Sequence, residues 1–200
     1  MINIYFDFDD VISDLYPAVK DLVRFIYGWT PPENFNLFCM DEQEKYGGEF
    51  VYNNIPIIER DIHNVIAMVM YGNVHSIPIR KDAVDFFSIN KFKHLNILTA
   101  RTACLRGIME DWFSINLPYM SKAIYNSQGS NYKAQMLQEL GATHYVEDQY
   151  RVAKTIADVG IPTFLLNKSY NQGFPPHDNI IRINELTEIN TYLDFNNENN

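Results

Sequence analysis

Ile2-Asn3-Ile4-Tyr5-Phe6-Asp7-Phe8-Asp9-Asp10 lies at the start of the chain, and the fold follows from how it is read. Residues 2–6 are mostly apolar and lack the strict alternation of a half-solvated strand. They predict a strand buried on both faces that ends at Asp7. The pattern recurs downstream. Leu95-Asn96-Ile97-Leu98 stops at Thr99, Ala123-Ile124-Tyr125 follows, His144-Tyr145-Val146 stops at Glu147-Asp148, and Pro162 to Leu166 reads as a further strand. Helical stretches alternate with these. Asp14 to Tyr27 places Leu15, Val19, Leu22, Val23 and Ile26 at helical spacing before Gly28, and helices are expected over 101–115, over 131–140 before Gly141, and over 151–159 before Gly160. Strands alternating with helices predict an α/β, Rossmann-like, mostly parallel sheet with helices on both faces and right-handed crossovers.

The interval 28–76 breaks the alternation. Pro31-Pro32 and Gly47-Gly48 interrupt it, and residues 57–71 read as a helix ended by Gly72-Asn73. It is read as a small, mostly helical cap inserted after the first strand and helix, which leaves 1–27 and 77–200 as the core. The aromatics that crowd the cap region, Phe25, Trp29, Phe35, Phe38, Tyr46, Phe50, Tyr52 and Tyr71, fit a small core needing large side chains. They also fit a surface on which a nucleobase could stack.

Composition narrows the function classes. The 200 residues are 46% hydrophobic and 20% charged, with a net charge of -9. Such a chain folds, and an acidic surface without a basic run longer than Arg80-Lys81 disfavours long nucleic acid. No apolar run approaches the ~20 residues of a membrane span. Cys39 and Cys104 stand apart in no metal-binding spacing and are expected as free thiols. Met1 leads straight into a strand, and the expected location is the cytoplasm.

Polar residues follow the apolar strands: Asp7 and Asp9, then Thr99, then Lys133 on a helix, then Glu147-Asp148. In a parallel sheet the carboxyl ends of the strands share one edge, where ligands bind, so these residues should converge. Carboxylates, a hydroxyl and one lysine suit Mg²⁺ bridging to a phosphate. Asp7 can attack phosphorus as a nucleophile. Asp9 can protonate the leaving oxygen and later deprotonate water. The Thr99 hydroxyl and the Ala100 N–H can hold phosphate oxygens at a helix start. Lys133 can neutralise developing charge. Each residue alone also fits a cap, a turn or a solvated surface. The four sites in one order are the signal.

That order resembles the haloacid dehalogenase superfamily. The finer detail resembles the 5′(3′)-deoxyribonucleotidases and their bacterial and phage relatives. It lies in Asp7-Phe8-Asp9-Asp10-Val11-Ile12, Leu98-Thr99-Ala100-Arg101, Lys133 with Leu140-Gly141, Val146-Glu147-Asp148 and Leu165 to Asn171. The resemblance implies a Mg²⁺-dependent phosphomonoesterase working through an aspartyl phosphate, with Asp7 as nucleophile and Asp9 as general acid/base. It implies Asp7, the Asp9 carbonyl and Asp148 as metal ligands. Phe8, Asp9, Thr99, Ala100, Arg101 and Lys133 would be the phosphate-binding positions. Asp10 stands where many members have Gly, and Val11 where many have Thr. The implied partner is a small phosphate ester, a (deoxy)nucleoside monophosphate first. A sugar phosphate, or a catalytically silent phosphate-binding module, is the alternative. The residues leave the oligomeric state open, a homodimer included.

Overall fold

The computed structural model describes residues 2–28, 30, 50–52, 55–57, 65, 68, 69, 74–92, 94–127 and 129–195. Its centre is a six-stranded sheet: β1 (Ile4–Phe6), β4 (His94–Thr99), β5 (Ser121–Asn126), β6 (His144–Glu147), β7 (Thr163–Leu166) and β8 (Ile180–Ile183). The spatial order is β5-β4-β1-β6-β7-β8. Every pairing is parallel. The chain runs outward from β1 through β4 to β5, then returns to the other side of β1 with β6. The strand order therefore reverses between β1 and β6, and a crevice opens there at the carboxyl edge.

Burial on both faces explains why the central strands read as unbroken apolar runs. On one face Ile4, Phe6, Leu95, Ile97 and Val146 pack against α2 (Lys81–Ile89) and α3 (Arg106–Asn116) through Phe86, Phe87, Trp112 and Phe113. Trp112 is fully buried, and its indole N–H is satisfied by the Ile77 carbonyl at 2.8 Å. On the other face Tyr5, Leu98 and Tyr145 pack against α4 (Lys133–Glu139) and α5 (Tyr150–Asp158) through Ala134, Leu137 and Ile156. Gly141 and Gly160 follow these two helices at φ 64° and 87°, the left-handed geometry that lets the chain turn into the next strand.

Helix α1 (Leu15–Tyr27) ends at Gly28, whose φ is 65° and whose N–H bonds to Arg24 O at 2.9 Å. Its buried Leu15, Val19 and Val23 form a second, smaller core with Val65, Val69, Val74 and Ile77. The chain leaves and re-enters the core at one clamped point. Asp14 N–H bonds to Pro78 O at 2.8 Å, and Arg80 N–H to Ile12 O at 2.9 Å. Within 28–76 the described residues include an antiparallel pair, β2 (Phe50–Tyr52) with β3 (Ile55–Ile57). The helix expected over 57–71 falls largely outside the described residues, apart from Ile57 in β3 and positions 65, 68 and 69. So do Trp29, Phe35, Phe38, Tyr46 and Tyr71. Among the described residues no helix is long and apolar enough to cross a membrane.

Two expectations change. Strand β8 was not foreseen: it is a four-residue edge strand beyond a proline-rich loop. The helix expected from Arg101 begins as α3 at Arg106, after a 3₁₀ turn at Ala103–Leu105. The reason is local. Arg101 N–H bonds to Thr99 Oγ1 at 3.1 Å and its carbonyl accepts from Asn126 Nδ2 at 3.0 Å, so its backbone is held in the loop. Ala100 therefore does not sit at a helix N-terminus.

Candidate active site

A cavity of about 200 Å³ lies at the carboxyl edge. Asp7, Asp9, Asp10, Glu147 and Asp148 line it together with Arg101 and Lys133. Ala100, Ser130 and Gln149 also contribute. The predicted residues from three strands and one helix thus converge. Asp7 follows β1, and its N–H bonds to Val146 O at 2.9 Å, which seats it beside β6. Lys133 opens α4 and is buried. Its Nζ lies 2.9 Å from Glu147 Oε2 and 3.0 Å from Asp7 Oδ1. The contact to Asp7 is an ion pair off the hydrogen-bond line, so Asp7 Oδ1 is a buried acceptor with no donor aligned on it. Burial works against the Lys133 charge, but Asp7 and Glu147 outweigh it and hold the ammonium well above its ordinary value.

The carboxylates respond to the same enclosure. Burial pushes Asp7 up to about 7, with Glu147 and Asp9 adding and Lys133 opposing. Burial also pushes Asp148 up to about 6, helped by the charge of Asp10. Glu147 is pushed up to about 7 by burial against the pull of Lys133. Yet Glu147 Oε2 faces Lys133, and Oε1 accepts the N–H groups of Asp148 and Gln149 at 3.1 Å each. An acid surrounded by donors alone plays the part of a carboxylate. Asp148 is held by its neighbour Gln149 and by the turn that follows β7. Its Oδ2 accepts the Tyr170 hydroxyl in a short bond and the Gln149 amide at 3.1 Å, and its carbonyl accepts Asn171 Nδ2 at 2.7 Å.

The residues fit a divalent cation. Asp7, Glu147 and Asp148 each offer an oxygen within 4.8 Å of the others. Both Glu147 oxygens are engaged and Asp7 Oδ1 faces Lys133 at 3.0 Å, so Asp7 Oδ2 and Asp148 Oδ1 are the oxygens of these three side chains left for a ligand among the described residues. Five carboxylates against two cations leave a surplus of negative charge in one cavity. Hard oxygen donors with such a surplus are the setting for Mg²⁺, and a phosphate could not enter without that balance.

The remaining predicted residues sit as follows. Phe8 is fully buried against Trp112 and Phe113 at 5.0 and 5.3 Å, so only its main chain can reach a ligand. Thr99 is buried, and its Oγ1 accepts the Arg101 N–H, with its own proton left to donate. Asp9 stands at the rim, with both oxygens held by the Arg101 guanidinium. Sequence reasoning missed Tyr170 and Asn171 as supports of Asp148, and gave Glu147 no role. Asp10 was noted only where relatives have Gly. The structure gives the reason for that: Asp10 has φ 57°, the left-handed region that Asp tolerates better than most residues. Its Oδ1 accepts Tyr16 N–H at 2.7 Å, in the first turn of α1.

No protein-family model matches the chain, and no curated protein does. Solved structures do. A predicted phosphoglycolate phosphatase from Haemophilus somnus 129PT is similar at TM-score 0.56 and 12% identity, over 95% of this chain and 96% of that one. The protein YfnB from Bacillus subtilis, bound to magnesium, is similar at TM-score 0.54 and 15% identity, over 96% and 97%. A HAD-superfamily hydrolase of subfamily IA, variant 1, from Geobacter sulfurreducens PCA is similar at TM-score 0.54 and 12% identity, over 97% of each chain. At such identities the likeness is one of architecture: the chain has the haloacid dehalogenase-type α/β fold.

Proposed function

We propose that the protein is a Mg²⁺-dependent phosphomonoesterase that forms an aspartyl phosphate on Asp7 and acts on (deoxy)nucleoside monophosphates. The observation that carries the chemistry is Asp7 itself. It is a buried carboxylate at the sheet's reversal point, with one oxygen lacking an aligned donor and with Lys133 at 3.0 Å. An Asp7 oxygen attacks phosphorus as the bond to the leaving oxygen breaks, and Asp9 gives that oxygen a proton. Asp9 then takes a proton from water as the water oxygen attacks the phosphoryl group and releases Asp7. Lys133 neutralises charge on the phosphoryl group and on Asp7. Asp7, the Asp9 carbonyl and Asp148 would hold the metal, which when bound supplies positive charge to the phosphoryl oxygens.

The nucleotide preference rests on the resemblance carried by Asp7 to Ile12, Leu98 to Arg101, Lys133 with Leu140-Gly141, Val146 to Asp148 and Leu165 to Asn171, and on the aromatic content of residues 28–76, proposed as a cap. A cavity of about 200 Å³ is below the ~300–1,000 Å³ usual for larger ligands. It suits the phosphoryl end of a substrate, so a base needs a surface beyond it. The same size favours a second reading, a small phosphate ester without a base. The deciding experiment measures kcat/KM with Mg²⁺ for thymidine and deoxyuridine monophosphates against ribose 5-phosphate and glucose 6-phosphate. One or two base contacts should give a roughly 10- to 100-fold preference for nucleotides. Equal or better turnover of the sugar phosphates rejects the nucleotidase reading, and full activity in excess chelator rejects the metal.

A further inference from the structure

Arg101 is placed in a way that phosphate binding alone does not explain. Its side chain is almost wholly buried and lies over the Phe8 ring, 4.7 Å from the centroid. Nε donates to Asp9 Oδ2 at 2.9 Å and Nη2 to Asp9 Oδ1 at 2.6 Å. The third nitrogen, Nη1, is buried without a partner among the described residues, and the residue lines the cavity that holds Asp7 and Lys133. A desolvated guanidinium N–H left without an acceptor is costly, and its planar fork is shaped for a two-oxygen anion. Nη1 therefore points to an acceptor the protein does not supply.

The pair also raises a conflict. Proton transfer needs an Asp9 oxygen on the leaving group, and in the resting protein both are taken by one cation. The backbone of Arg101 is fixed at Thr99 and Asn126, so only its side chain can move to resolve this. We propose that Arg101 is a latch: Asp9 and the incoming phosphoryl group compete for its guanidinium, and phosphate binding draws it off and frees the Asp9 carboxylate. The latch rests on the phosphatase reading and extends it. Arg101 is then a positioning residue for Asp9 as well as a phosphate ligand. The phosphate affinity of the resting protein is the intrinsic affinity multiplied by the fraction of molecules in which the guanidinium is free of Asp9.

The test is a double-mutant cycle on inorganic phosphate binding, measured by calorimetry with Mg²⁺ present. Asp9→Asn removes the competitor and should tighten phosphate binding about tenfold, the equivalent of one charge-assisted hydrogen bond. In an Arg101→Gln background the same substitution should gain less than about threefold, because there is no latch left to release. An equal gain in both backgrounds means simple relief of repulsion and overturns the latch while leaving the phosphatase reading intact. No gain in either background overturns it too. Absence of phosphate binding in wild type and every variant overturns the phosphatase reading, and the latch with it. A readout on the unaltered protein guards against misfolded variants. The Arg101 Nε–H resonance, identified by its loss in Arg101→Lys, should shift on saturation with phosphate. A resonance that stays in place overturns the latch.

Discussion

Asp7→Asn should stabilise the metal-free protein near pH 8 while abolishing turnover. Asp7 is buried among carboxylates and is raised from 3.8 to about 7, chiefly by loss of solvent. A carboxyl raised by folding is at its least costly when protonated. Its contribution to stability is therefore complete below the unfolded value and is lost as pH climbs through about 7. At about 1.4 kcal/mol per pH unit, the whole rise corresponds to roughly 4 kcal/mol. Burial raises Asp148 to about 6 in the same cavity, so the relief is shared, and roughly 2–3 kcal/mol falls to Asp7. For a chain of this size that is roughly 4–12 °C in Tm. Asn keeps the shape and carries no charge, so it escapes the loss. The assay is thermal unfolding in chelator at roughly pH 5 and roughly pH 8. Wild type should weaken between the two, while Asp7→Asn should weaken less and be the more stable at the upper pH. Saturating Mg²⁺ should restore wild type and do less for the variant. A variant destabilised by the same amount at both pH values would refute the reasoning, because Asp7 would then stabilise the fold through Lys133. Retained turnover would refute Asp7 as nucleophile.

Asp9→Asn should cut kcat by roughly 10²–10⁴-fold for sugar-hydroxyl leaving groups and less for nitrophenolate; equal losses in steady-state assays would remove Asp9 from proton transfer. Tyr170→Phe removes the hydroxyl that orients Asp148 and should weaken Mg²⁺ binding by roughly 10–100-fold; calorimetry showing unchanged affinity would deny Tyr170 that part. Lys133→Met leaves Asp7 and Glu147 facing each other without a cation and should cost about 3–5 kcal/mol near neutral pH, and an unchanged urea midpoint would refute the buried network.

The sheet was legible because a strand buried on both faces leaves a largely apolar run, as in Ile4–Phe6 and Thr163–Leu166. Asp7, Thr99 and Asp148 were legible for a related reason: topology brings the ends of parallel strands to one edge. What escaped depends on partners distant in sequence. Arg101 and Asp9 are 92 positions apart, and no local pattern announces a two-pronged ion pair between them. Lys133 was singled out in the sequence, but its burial between Asp7 and Glu147 was not, because neither carboxylate is its neighbour in the chain. Tyr170 and Asn171 sit in a short 3₁₀ turn that has no periodicity to read. The left-handed conformation of Asp10 was foreshadowed by the glycine of relatives, but its bond to Tyr16 needed coordinates. Strand β8 is a half-buried edge strand interrupted by Arg182, so it leaves no fully buried apolar run, and it became visible only in its register with β7.

The burial of Lys133 also constrains the order in which the chain can fold. An ammonium that enters the interior alone carries a penalty of several kcal/mol, so α4 docks unfavourably until Glu147 or Asp7 is in place to meet it. Those carboxylates come from opposite ends of the sequence, one after β1 and one on β6, and their strands pair through Ile4 with His144. Closing so long a loop is among the slow events of folding. During synthesis Asp7 leaves the ribosome first and waits for Glu147. No chain that stops short of Glu147 carries the proposed site, and the pairing of Lys133 also marks the joining of β1 to β6.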